Sequence, residues 1–191
     1  MSQPVFRDVR HALHVSFLIH SMPATSPSPT AIVIDRLVKE CHVWDGLPVR
    51  REGAVNFSGL STLEVRAQCA QVVAMVNHLK HPAESAAVKA MFGHQVIKAA
   101  GVRDLAQYCE PTIGSVTGMA ALACAWNVFG TERQRSGLGR EAIAEEFGVS
   151  ERAVRDAVAT IRKMGLSLYA RADEALTERF ERGELIEKSY T

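Results

Sequence analysis

Residues 139–163 read GREAIAEEFGVSERAVRDAVATIRK, and their spacing predicts two helices joined by a tight turn. In the first, Ile143 and Phe147 stand four apart and share a face. Ala144 falls where the second helix must cross closely, so a small side chain is required there. Gly148 follows Phe147, where the chain must leave the helix through a left-handed conformation that only glycine adopts cheaply. Val149 is apolar and plugs the corner. Ser150 is a favoured N-cap, and Glu151 sets a negative charge at the positive end of the next helix dipole. Beyond it Val154, Val158 and Ile161 face inward, with Ala153 and Ala157 beside them.

This arrangement resembles the helix-turn-helix of bacterial and phage transcription regulators. The resemblance rests on Ile143, Ala144, Phe147, Gly148, Val149, Ser150 and Val154, and covers about 25 of the 191 residues. Alanine, glycine four later and serine two after that form a joint pattern much rarer than any one of its parts. Ala157 departs from it, since the family usually carries a larger aliphatic residue there; either the core is thinner at that point or Val158 takes over the packing. The resemblance implies that the early part of the second helix reaches base edges in the major groove of double-stranded DNA. The outward face is Glu151, Arg152, Arg155, Asp156, Ala159, Arg162 and Lys163. Arg152 and Arg155 suit the two-pronged contact to guanine, and Glu151 or Asp156 can accept from cytosine. Ser150 suits a phosphate, as do Arg162 and Lys163 further along. The competing reading is a solvated charged face held by i,i+4 pairs such as Arg152 with Asp156.

The loop before the motif, residues 131–139, contributes Arg133 and Arg135, with Arg140 next to it. Three arginines on a flexible, glycine-containing segment suit phosphate contacts, or simply solvent. From Arg133 to Lys163 there are seven Arg or Lys and five Asp or Glu. The acidic Glu141, Glu145 and Glu146 fall on the first helix, away from the reading face.

Outward from the motif, the chain reads as all-α: a helical N-terminal half followed by a C-terminal helix-turn-helix bundle. Helices are expected over residues 5–20, 30–41, 61–80, 82–92, 102–109 and 114–129. Ser61 and Glu64 form a capping box at the start of the third, whose apolar side is Leu63, Cys69, Val72, Val73, Val76 and Leu79. Residues 22–30, with three prolines, are a loop, and residues 42–60 a long connection with a short hairpin at 47–57. The helix at 114–129 sets Met119, Leu122, Trp126 and Phe129 in register, with Ala120, Ala121, Ala123 and Ala125 allowing close neighbours. The expected segments are 1–60, 61–110, 111–168 and a tail, 169–191. In that tail Leu176, Phe180, Leu185 and Ile186 form a partial apolar stripe, either a homodimer element or a segment that folds back on the core.

The formal net charge is +1, so bulk charge does not hold this chain to nucleic acid; charge must be sorted locally. Cys41, Cys69, Cys109 and Cys124 contain no CxxC pair and suit neither a zinc ribbon nor a disulfide framework. His11 with His14, and His78 with His81, stand at i,i+3 without an evident third ligand, so no metal and no cofactor is expected. No Ser-His-Asp grouping, Walker loop or GxGxxG is present, and the clustered acids Glu40, Asp45 and Glu52 carry little weight, so no enzyme is expected. The apolar run at residues 15–19 is too short for a membrane span, and a soluble cytoplasmic chain without membrane contact is expected.

In length and layout the chain is also similar to small phage late-gene regulators of the antiterminator type, through the segment Arg66-Ala67-Gln68-Cys69-Ala70, then Trp126 and the GVSERAV turn. The helix-turn-helix itself resembles the promoter-reading domain of sigma factors. These likenesses imply a promoter-proximal DNA site and RNA polymerase, or its sigma factor, as partner. Fold alone does not choose between activator, repressor and antiterminator. The rival reading is a protein interaction module that uses a degenerate helix-turn-helix as scaffold.

Overall fold

The computed structural model describes residues 5–22 and 62–186. The expected helix at 30–41, the connection at 42–60 with its hairpin, and Ser61 of the capping box lie outside the described residues. Among the described residues every regular element is a helix. They are α1 (Val9–Ser21), α2 (Thr62–Asn77), α3 (Pro82–Phe92), α4 (Gln95–Cys109), α5 (Gly118–Phe129), α6 (Glu132–Arg135), α7 (Arg140–Phe147) and α8 (Glu151–Arg182), with a turn of 3-10 helix at Glu110–Thr112. The all-α class is as the sequence predicts.

The chain divides into two compact units, one of Met1–Val76 with Ala175–Thr191 and one of Asn77–Glu174. These units cut across the four segments expected from sequence, because α8 belongs to both. In the first unit Asp8 caps α1 by accepting from the His11 amide at 2.7 Å. Phe6, Val9, Leu13 and Phe17 are buried, as are Val65, Cys69, Val72 and Val76 of α2. Leu176, Phe180, Leu185 and Ile186 are buried in the same chain. The tail therefore folds back, the second of the two alternatives, and its stripe is not open to a second copy. Phe6 donates its amide to the Leu185 carbonyl at 2.9 Å, and Arg179 reaches the Met75 carbonyl at 3.3 Å. Leu63, expected on the apolar side of α2, is 78% exposed; the stripe begins at Val65 instead.

In the second unit α3 packs on α4, α4 on α5, and α5 on α7. Pro82 opens α3, where its missing amide costs nothing, and the His81 ring accepts from the Ala83 amide. The expected helix at 102–109 starts earlier, at Gln95. The central helix begins at Gly118, four residues later than expected. What α5 buries most deeply are Ala120, Ala121, Ala123, Cys124 and Ala125, while Leu122, Trp126 and Phe129 are only partly buried and Met119 is exposed. The small residues set the close spacing and the large ones fill its margins. Arg171 of α8 pairs with the buried Glu84 of α3 at 2.7 Å.

No stop for the second helix of the motif occurs near Lys163, contrary to the boundary expected there. The helix runs on to Arg182. Gly165 sits inside it, where Phe129 and Leu105 occupy the space a Cβ would take. Among the described residues no helix is long and apolar enough to cross a membrane.

Candidate nucleic-acid interface

The two-helix motif is built as its residues dictate. Ile143 is buried on α7, with Ala144 and Phe147 partly buried against the same core. At the end of α7, Gly148 takes φ 63°, ψ 30°, the left-handed region, and its amide donates to the Ala144 carbonyl. Val149 also donates to that carbonyl, at 3.1 Å, and packs on the core. The Ser150 hydroxyl accepts from the Ala153 amide at 3.2 Å, which satisfies one of the unpaired donors at the start of α8. Val154, Ala157, Val158 and Ile161 are all buried, so Ala157 and Val158 share the packing position. Ala120, Ala123 and Cys124 of α5 belong to the same core and supply the third helix.

All eleven residues expected to meet DNA are exposed: Arg133, Arg135, Arg140, Ser150, Glu151, Arg152, Arg155, Asp156, Ala159, Arg162 and Lys163. Arg133 and Arg135 do not lie on a flexible loop. They sit on α6, one helical turn closed by a capping box in which Thr131 Oγ1 accepts from the Gln134 amide and Gln134 Oε1 from the Thr131 amide. The signal was present as Thr131-Glu132-Arg133-Gln134, the T-x-x-Q form of that box. Asn127 Nδ2 donates to the Leu138 carbonyl at 2.6 Å and ties the following loop to α5.

Asp156 sits between two of the arginines. Arg152 Nε lies 3.9 Å from its Oδ2, and Arg155 Nε is 3.4 Å from its Oδ1. The i,i+4 pair of the solvated-face reading thus exists, with a second pair beside it. The Arg155 pair is within hydrogen-bond reach, and the Arg152 pair stands at ion-pair distance. Residues 112–115 form the far wall of an open cleft of about 410 Å³, with Ser150, Arg152, Asp156 and Thr160 on the near wall. The sequence reading places residues 114–115 in the helix expected at 114–129 and so does not anticipate this cleft, because no local pattern reports which helix a turn will face.

Among the described residues no three His, Cys, Asp or Glu come together to hold a metal ion. His81 has a capping role and stacks edge-on against Tyr108. Cys69, Cys109 and Cys124 are buried free thiols, each pushed up to about 11 by burial. The chain matches no known protein-family model and no curated protein.

Proposed function

We propose that this chain is a sequence-specific DNA-binding regulator of transcription that reads the major groove with the first turns of α8. The observation that carries this reading is the turn: a left-handed Gly148 followed by a capping Ser150, with Val154 and Val158 turned inward and Arg152 and Arg155 turned outward. Arginine at that place suits guanine, whose O6 and N7 accept a forked pair of N–H donors. Arg133, Arg135, Arg140, Arg162 and Lys163 flank the reading face and suit phosphates. The likeness to phage late-gene regulators extends the proposal to a promoter-proximal site and to RNA polymerase, or its sigma factor, as partner.

A second reading, a protein-binding module, is favoured by one feature. Val96, Ala99, Ala100, Leu122 and Trp126, with Arg103 among them, line a mostly apolar groove of about 320 Å³ between α4 and α5, and Val96 is 80% exposed. Selection from a random pool of duplexes, followed by binding curves at several salt concentrations, separates the two. The DNA reading predicts an enriched sequence and an affinity that falls at least roughly tenfold between 50 and 200 mM salt. No enrichment, and no salt-dependent binding, would favour the groove.

A further inference from the structure

We propose that Asp156 is a positioning residue which fixes the direction of Arg152 and Arg155, and so sets the choice of base at the cost of overall affinity. The inference deepens the reading of α8 as the recognition helix and rests on it. An exposed arginine has many rotamers, and each must be given up when its fork docks on a base. On α8 one carboxylate lies beside two such side chains, hydrogen-bonded to Arg155 and at ion-pair distance from Arg152. Asp156 faces Arg152 one turn earlier in the helix, through Oδ2, and its neighbour Arg155, through Oδ1. In both pairs the contact is made by Nε. That choice of nitrogen matters, because it leaves the terminal Nη1 and Nη2 pair of each guanidinium for an end-on grip of guanine O6 and N7. A carboxylate paired through the terminal nitrogens would instead have competed for the reading fork.

The same charge acts against binding in general. Asp156 offsets one of the two positive charges, Arg152 and Arg155, on the reading face, so DNA of any sequence is held less firmly than by the arginines alone. Discrimination rises because a restrained fork meets a correct base with less to give up, while an incorrect base leaves the fork unpaired.

The test uses the full chain, a duplex that it has selected from a random pool and a scrambled duplex of equal composition. Asp156→Asn keeps the size and removes the charge; Asp156→Glu keeps the charge. Circular dichroism should give both variants the parent's spectrum and melting temperature, as befits an exposed position. For Asp156→Asn, affinity for the scrambled duplex should rise, and the ratio of selected to scrambled affinity should fall by about five- to tenfold. Asp156→Glu should restore most of the ratio. An equal rise on both duplexes, with the ratio unchanged, would overturn the proposal and leave Asp156 as a repulsive charge only. No change on either duplex would overturn it too and make the two ion pairs mere solvated contacts. Failure of the parent chain to bind or select any duplex would instead remove the DNA-binding reading itself, a different result from either of these.

Discussion

At Gly148 the backbone lies at φ 63°, and a Cβ there would meet nothing within 4 Å. The residue is glycine for conformation, then, and not for space. Gly148→Val should therefore lower stability by on the order of 1–2 kcal/mol or more, and Gly148→Asn by distinctly less, since asparagine tolerates the left-handed region. Equal melting temperatures for parent and Gly148→Val would place the turn elsewhere. His11 offers a second test at this scale. It is buried on α1, and burial lowers its pKa below the ordinary 6.5, with the Asp8 carboxylate offsetting part of that effect. The unfolded chain takes up a proton near 6.5 while the folded chain resists it. Stability contributed by neutral His11 is thus complete above that value and falls as pH drops below it. The melting temperature of Asn or Gln variants at position 11 should depend less steeply on pH between about 7.5 and 5.5 than the parent's; an identical slope would show that another group controls it.

At the level of elements, α8 decides how much could be read in advance. Its core line runs Ile161, Gly165, Leu168, Ala172, Leu176 and Phe180, every one buried. The 3.6-residue period is unbroken once glycine and alanine are counted as core residues. Large apolar side chains alone leave that line partial, since Gly165 and Ala172 supply none. In α5, too, the alanines are the deepest residues, and the large side chains in register lie at its margins. Helices with local signals, such as Pro82 at the start of α3 and Gly148 after α7, were legible to the residue because caps and turns are local chemistry. The limits of α4 and α8 depend on which neighbour fills the space beside a small residue, and no sequence window contains that. Gly165→Val should consequently cost about 1–3 kcal/mol by forcing the Phe129 ring aside. The loss should shrink when Phe129 is first changed to Leu. Additive losses in that double-mutant cycle would mean that the two residues do not compete for the same space.

For the molecule as a whole, a net charge of +1 means that the proposed DNA contact rests on local sorting of charge. The acidic Glu141, Glu145 and Glu146 lie exposed on α7, while Arg152, Arg155, Arg162 and Lys163 lie exposed on α8. A 32-residue helix is about 48 Å long, far more than the roughly 12 Å width of the major groove, so only its first turns can read bases. Beyond Lys163 its inward side, with Leu168, Ala172, Leu176 and Phe180, is buried. Under the proposed function, two kinds of contact would follow along one helix, with base edges near Arg155 and phosphates near Arg162 and Lys163. The most direct test of the central claim compares Arg155→Ala with Arg162→Ala on selected and scrambled duplexes over a range of salt. Arg155→Ala should leave the melting temperature unchanged, weaken binding to the selected duplex by roughly 1–3 kcal/mol and relax the choice of base at one position. Arg162→Ala should weaken both duplexes alike and reduce the salt slope by about one. If Arg155→Ala binds the selected duplex as tightly as the parent, α8 is not the reading element, and the account given for its exposed face is wrong.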